Sequence, residues 1–149
     1  MKAGGNTAIR NRKGQALVES ALVLSLFLAL LFGIIEFGRA WFYSNNLDNS
    51  VRAAARYGAV LGNSSTSAAL IDSYLRTEIA AIIPPDGIQS TNVEVFDKTT
   101  DALKPVNDAA HGDTLSVSAV YNFQVIPGNI IPNFSGIVPI RRSASTLIE

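Results

Sequence analysis

The sequence contains no cysteine and only one histidine. Without cysteine the chain forms no disulfide and offers no thiolate metal site. The histidine, His111, lies in the polar stretch D-A-A-H-G-D, which is typical of a loop. Because no nucleophile or orienting partner accompanies it, the sequence favours a solvated loop residue over a catalytic base. We therefore expect no enzyme: no catalytic residue, no cofactor and no metal site.

Charged residues are scarce and unevenly distributed. They make up 16% of the chain, against roughly 25% in ordinary soluble proteins. The first fourteen residues contain Lys2, Arg10, Arg12 and Lys13 and no acid. The rest of the chain has eight basic and twelve acidic residues and so a net charge of −4. Such a mildly acidic chain gives no indication of nucleic acid as a partner.

No charged residue occurs from Ser20 to Ile35, and Glu19 and Glu36 flank this run. As a helix, the run is about 24 Å long, which is nearly the thickness of a bilayer core. The basic residues before it predict that the N-terminus stays in the cytoplasm and that the rest of the chain lies outside. We predict a single-pass protein whose transmembrane segment covers about residues 16–38.

Two simple interpretations of this run are a cleaved secretory signal and a plain membrane anchor. A secretory signal has an apolar region of about 7 to 15 residues, followed by a small-residue cleavage site. Here the run is longer, and no proline interrupts the chain before Pro84. A plain anchor explains the apolar run and the basic leader, but it gives no reason for Gly14 or Glu19.

The helical pattern continues past the membrane segment. Trp41, Phe42 and Tyr43 form an aromatic group where the helix is expected to leave the lipid, so they are predicted to form an interface belt. Beyond them, apolar and small residues recur at helical spacing on one face: Leu47, Val51, Ala54, Gly58 and Leu61. We expect one helix from Gln15 to about Leu61, ended by Gly62.

The remainder of the chain changes from a helical to a strand period. A second helix is predicted over about Ser67 to Ile83, where Pro84 and Pro85 stop it. Apolar residues then alternate at 93–95, at 115–123 and, less regularly, at 140–148. These patterns predict an α+β fold in which about three antiparallel strands have one face on the helices. The expected division is a leader at 1–14, the long helix at 15–62 and an extracytoplasmic domain at 63–149.

Two long connections separate the predicted strands. The first runs from Lys98 to Asp113 and contains three aspartates, Asp101, Asp108 and Asp113. Their spacing matches no EF-hand, so we expect a solvated acidic loop rather than a calcium site. The second is apolar for a loop. Its Ile130, Ile131 and Phe134 are expected to pack on the domain, with a partner-binding patch as the alternative.

A stripe of small residues lies within the predicted membrane segment. Ala21, Ser25, Ala29 and Gly33 fall at every fourth position among leucines and phenylalanines. Four residues turn a helix by about 400°, so the four share one slowly drifting face. Small residues at this spacing let helices approach closely in lipid, and we predict a role in helix packing.

The stretch from Gly14 to about Ala59 carries a family resemblance. Lys13-Gly14 followed by Q-A-L-V-E resembles a type IV prepilin processing site, which would be cut between Gly14 and Gln15. Further on, V-E-S-A-L-V-L, G-I-I-E-F-G-R-A-W-F-Y and A-A-A-R-Y-G-A resemble the TadE-like family of the tight-adherence (Flp) pilus system. Y-N-F-Q-V-I-P and I-R-R-S-A-S-T-L-I-E resemble the closing strands of that family more loosely.

The resemblance implies a pilin-like fold and a minor pseudopilin in the bacterial inner membrane. Its partners would be a prepilin peptidase, other pilins or pseudopilins and inner-membrane Tad assembly proteins, and it could enter a surface pilus. The resemblance also implies that Glu19 pairs with the N-terminal amine that cleavage creates, usually on a neighbouring subunit, and so sets subunit register. The chain is longer than a major Flp pilin, which favours a minor component.

Two residues depart from the family pattern. Ser20 replaces an aromatic residue that usually follows the glutamate, and Ser25 replaces a proline that often lies in the membrane segment. The first departure weakens the case for processing, and the second predicts a straighter helix. The alternative function is an unprocessed single-pass membrane protein whose outer domain binds a partner or ligand.

Overall fold

The computed structural model describes residues 7–61, 67–126 and 136–149, with side chains from residue 14 onward. Helix α1 covers Thr7–Leu61 and helix α2 covers Ala68–Ala80. The strands are β1 (Ile88–Phe96), β2 (Leu103–Lys104), β3 (Thr114–Gln124) and β4 (Ile137–Leu147). The chain divides into two compact units, one ending at Gly38 and the other formed by Arg39–Glu149.

The predicted α+β architecture is confirmed. The described strands form one antiparallel sheet in the order β2-β1-β3-β4. The sheet has four strands where the sequence predicted about three, because the two-residue β2 lies inside the connection expected to be a loop. A strand of two residues is too short to produce a period-two pattern. The predicted loop residues Ile130, Ile131 and Phe134 lie outside the described residues.

The core of the C-terminal unit lies between the sheet and the two helices. β3 alternates as predicted, and its inward side chains Leu115, Val117, Ala119, Tyr121 and Phe123 are buried. Residues of α1 and α2 cover this face at helical spacing, and those that are buried are Leu47, Val51, Ala54, Ala55, Ala59, Ile71, Leu75 and Ile79. Residues 39–61 of α1 therefore belong to the second compact unit. The division into a leader at 1–14, a long helix at 15–62 and an outer domain at 63–149 stays a prediction.

Small residues in the second half of α1 allow this close packing. A Cβ placed on Gly58 would lie 2.5 Å from Leu115 Cδ2 and 2.7 Å from Ile71 Cδ1. The neighbouring Ala54, Ala55 and Ala59 are also buried. The motif A-A-A-R-Y-G-A thus supplies the face of α1 on which β3 and α2 pack.

The second helix is shorter than predicted. It begins after Ser67, which has extended backbone and makes no side-chain cap hydrogen bond, and it ends at Ala80 rather than Ile83. The N–H groups of Ile82 and Ile83 both donate to the Ile79 carbonyl in a closing turn. Ile83 is nevertheless buried, so the predicted apolar pattern is correct although the helix stops earlier.

The connection from Lys98 to Asp113 corrects the prediction of a solvated acidic loop. Asp101, Asp108 and His111 are exposed, as expected. Asp113, however, is only 1% exposed. Its carboxylate accepts hydrogen bonds from Lys104 Nζ at 2.9 Å, from the Ala110 N–H at 2.8 Å and from the Lys98 N–H at 3.2 Å. The aspartate therefore fixes the loop to β2 from inside the fold, and a basic partner nine residues away satisfies its charge.

The contacts of Asp113 predict how stability depends on pH. The hydrogen bond from Lys104 and the bond from the Ala110 N–H lower the pKa of Asp113 below its ordinary value of 3.8, although burial opposes them. A lowered folded-state pKa stabilises the protein above the unfolded value, and this contribution is lost as the pH falls from about 3.8 through the folded pKa.

We predict that Asp113→Asn lowers the melting temperature at pH 7 and flattens the loss of stability below pH 4. Thermal melts of the full chain in detergent, followed by circular dichroism between pH 2 and pH 7, measure both effects. Asp108→Asn is the matched control because Asp108 is exposed, and it should melt like the wild type. Equal melting temperatures and equal acid profiles for the two variants would contradict the role of Asp113.

Candidate membrane segment and processing site

The unit that ends at Gly38 exposes its large apolar side chains instead of burying them. Exposed fractions of these side chains between Leu17 and Ile35 range from 41% to 72%. They are Leu17, Val18, Leu22, Val23, Leu24, Leu26, Phe27, Leu28, Leu30, Leu31, Phe32, Ile34 and Ile35. A helix that is apolar on every side belongs in a membrane or in a protein core.

Its length and composition meet the requirement of a membrane span. Among the residues that the structure describes, one helix qualifies, and its most apolar window has a mean hydropathy of 2.4 with no part of it buried. Ser25, the polar residue in mid-span, donates its hydroxyl to the Leu22 carbonyl at 2.8 Å. This local bond satisfies the hydroxyl within the helix, and α1 continues unbroken through Ser25.

The predicted processing residues lie on α1, and the described residues show no packing contact that requires glycine at position 14. A Cβ placed on Gly14 would meet no atom within 4 Å. Gln15 and Glu19 are exposed as well. The fold therefore gives no steric reason for glycine at position 14, in contrast to Gly58, where a side chain would collide with the core.

The four residues of the small stripe are also exposed on α1. A Cβ on Gly33 would meet no described atom within 4 Å. Their role in helix packing stays a prediction.

The aromatic group divides into two kinds of residue. Trp41 and Phe42 are 63% and 51% exposed, and the interface belt stays a prediction for them. Tyr43 instead packs against the sheet, with ring centroids 5.6 Å from Tyr121 and 5.3 Å from Phe123. These contacts were missed in the sequence. The available signal was that Tyr43 lies four residues before the buried Leu47, on the same face of α1.

Arg39 closes the same aromatic cluster. Its guanidinium carbon lies 5.1 Å from the centre of the Phe123 ring and 6.0 Å from that of Tyr43. Cations over aromatic faces at this distance are attracted by the ring quadrupole. Arg39 and Tyr43 therefore pack the first residues of the C-terminal unit against the end of β3.

The class of protein follows from these observations: the long apolar helix fits a single-pass membrane protein that carries an α+β unit. Residues 14–56 match the model of the TadE-like protein family, which confirms the resemblance over that stretch. The match includes Gly14, Glu19, the small stripe and the aromatic group. No curated protein and no solved structure matches the chain significantly.

We predict that larger side chains at the small stripe disturb helix association more than smaller side chains at neighbouring leucine positions do. Ala29→Leu and Gly33→Leu should weaken self-association of residues 14–38 in a membrane two-hybrid reporter, because the added side chains hold the helices apart. Leu28→Ala and Leu30→Ala are the controls on neighbouring faces and should have smaller effects. Equal effects at all four positions would show that the stripe has no special role.

Proposed function

We propose that this protein is a minor pseudopilin of a tight-adherence pilus system, with a structural and assembly role and no enzymatic activity. The observation that carries the proposal is that the family match begins at Gly14. This is the residue at which the sequence predicts cleavage, and a Cβ added there would meet no described atom within 4 Å. A glycine without a folding requirement is explained if a peptidase has to accommodate its backbone.

Prepilin-peptidase cleavage between Gly14 and Gln15 would remove the basic leader and place a positive amine at the start of the membrane helix. The mature chain would stay in the inner membrane, with Arg39–Glu149 on the outside. This orientation is supported by the four basic residues of the leader, which favour the cytoplasmic side. Its partners would be other pilins or pseudopilins and the inner-membrane Tad assembly proteins.

Glu19 has a specific part in this proposal. An acid at the centre of a membrane helix costs about 2.5–3.5 kcal/mol, and a smaller cost applies near the edge. The amine of Gln15 would lie about one helical turn away, and an amine on a neighbouring subunit could pair with Glu19 as the helices assemble. The pairing would offset the cost of the acid and fix the register of adjacent subunits.

The alternative is an unprocessed single-pass protein whose outer unit binds a partner or ligand. It has the same helix and the same orientation, so these features do not distinguish it from the pseudopilin. The two differ in whether the leader is removed and in whether Glu19 matters for assembly. Each difference leads to one experiment.

We predict that the protein loses residues 1–14 when it is co-expressed with an active prepilin peptidase. Gly14→Leu should leave a full-length precursor in the membrane, because the side chain obstructs the peptidase. Gly38→Leu is the matched control, since a Cβ at that glycine also meets nothing within 4 Å, and it should be processed normally. N-terminal sequencing and intact mass identify the products. A wild-type chain that keeps its leader beside the active peptidase would contradict the pseudopilin function.

We predict that Glu19→Gln separates membrane insertion from assembly. The variant keeps the shape of the side chain and removes its charge, so insertion should persist or improve while co-purification with other pilins falls at least several-fold. Glu36→Gln, at the other end of the apolar run, is the control and should affect assembly less. Assembly of Glu19→Gln at the wild-type level would leave Glu19 without a role in register.

A further inference from the structure

The strand β4 forms an open edge of the sheet. Among the described residues it pairs only with β3, along eleven register positions from Ile137 to Leu147. β2 and β1 lie on the opposite side of β3. A long edge strand presents a row of N–H and C=O groups that can pair with another extended chain.

The ladder shows which groups of β4 face outward. Val125 donates its N–H to the Gly136 carbonyl at 2.7 Å, and Ile148 donates to the Asp113 carbonyl at 2.9 Å. Both bonds continue the register of the β3–β4 pairs. In each of them the residue on the β4 side, Gly136 or Ile148, has an even number. Since alternate residues of an antiparallel strand point their backbone groups to opposite sides, the odd-numbered residues of β4 face away from β3.

The outward backbone groups in the first half of β4 are partly unable to pair with another strand, whereas those in the second half, the open half, are able to. Pro139 is odd-numbered and has no N–H to offer. The outward carbonyl of Arg141 already accepts a hydrogen bond from Arg142 Nη1 at 2.8 Å. The outward groups that follow belong to Ser143, Ser145 and Leu147, which are all exposed.

A basic groove lies beside this open half. It has a volume of about 360 Å³ and is lined by Arg52, Ala55 and Arg56 of α1 and by residues 143–146 of β4. No acid lines it. Arg52 forms a partly exposed ion pair with Asp48, at 3.0 Å between Nε and Oδ2, whereas no ion pair to Arg56 occurs among the described residues. Arg141 and Arg142 add two further positive charges at the start of the open half.

We propose that this edge binds an extended acidic segment of another protein, which adds to the sheet as a further strand beside Ser143–Leu147. Its backbone would bond to the outward groups of Ser143 and Ser145. Because side chains alternate along a strand, every second residue of the segment would face the groove. Acids at those alternate positions match the charges of Arg52 and Arg56.

A second copy of this chain fits the edge less well. The acids of the described residues lie in helices, turns, the strand β1 and the C-terminal end after β4, and none belongs to an alternating acidic run on a strand. Pairing β4 with β4 would also bring arginines together. An anionic lipid headgroup could meet the arginines but would leave the strand groups unused. The proposal concerns the C-terminal unit alone and does not depend on processing at Gly14.

The test uses the full chain in detergent and a fluorescein-labelled peptide of seven residues, with Asp or Glu at every second position and Val or Thr between them. Fluorescence anisotropy should give saturable binding, and a peptide of the same composition with its acids in one block should bind more weakly. Ser145→Pro should lower the affinity about tenfold, because it removes an outward N–H and no ladder bond. Ser145→Ala keeps the N–H and should bind as the wild type does.

A charge exchange tests the groove separately. Arg56→Glu should weaken the acidic peptide about fivefold and strengthen a peptide with Lys at the alternate positions. Loss of binding in Arg56→Glu without a gain for the Lys peptide, or equal binding by Ser145→Pro and wild type, would overturn the proposal. Self-association of the chain that Ser145→Pro abolishes would also overturn the proposal. Binding of phosphatidylglycerol vesicles by a chain that does not bind the acidic peptide would overturn it as well.

Discussion

The uncovered apolar surface of α1 between Leu17 and Ile35 is the constraint on which the rest of the structure depends. Burying one large apolar side chain stabilises a protein by about 1.5–3 kcal/mol, and more than ten such side chains remain exposed on this helix. A chain of this size is stable by only about 5–15 kcal/mol. The surface therefore has to be covered by lipid or by neighbouring helices, since no second helix of this kind occurs in the part of the chain that the structure describes.

The same helix has a different surface after Arg39. There it presents Tyr43, Leu47, Val51 and a series of small residues to one side, and the sheet and α2 pack on them. The chain has no cysteine and so no disulfide, and the C-terminal unit is held together by packing and by the ion pair between the buried Asp113 and the partly exposed Lys104. Gly58 permits the close approach of Leu115 and Ile71, and Lys104 neutralises Asp113 inside the loop. The stretch A-A-A-R-Y-G-A is thus explained by packing, whereas the residues around Gly14 and Glu19 are not.

How far the sequence predicts the fold depends on the range of the interactions involved. The membrane segment and β3 were predictable because each has a local sequence pattern. The membrane segment is apolar without interruption, and β3 alternates between apolar and polar residues. The two residues of β2 were not, because they become a strand only through pairing of Lys104 with Val95 and of Leu103 with Phe96. Asp113 was predicted to be solvated for a similar reason. The sequence around Asp113 does not indicate that the fold brings Lys104 next to it. In the candidate site, the roles of Gly14, Glu19 and the small stripe stay predictions. The packing of Tyr43 and the basic groove beside β4 were not predicted, because both depend on residues that are distant in the sequence.

Single-cysteine labelling tests most directly whether α1 crosses the membrane with the C-terminal unit outside. The natural chain has no cysteine, so Asn6→Cys in the leader and Ser90→Cys on the exposed face of β1 each provide a unique thiol. In intact spheroplasts of a host without prepilin peptidase, a membrane-impermeant maleimide should label Ser90→Cys at once and Asn6→Cys only after lysis. Labelling of both positions from outside, or of Asn6→Cys alone, would contradict a single crossing with this orientation.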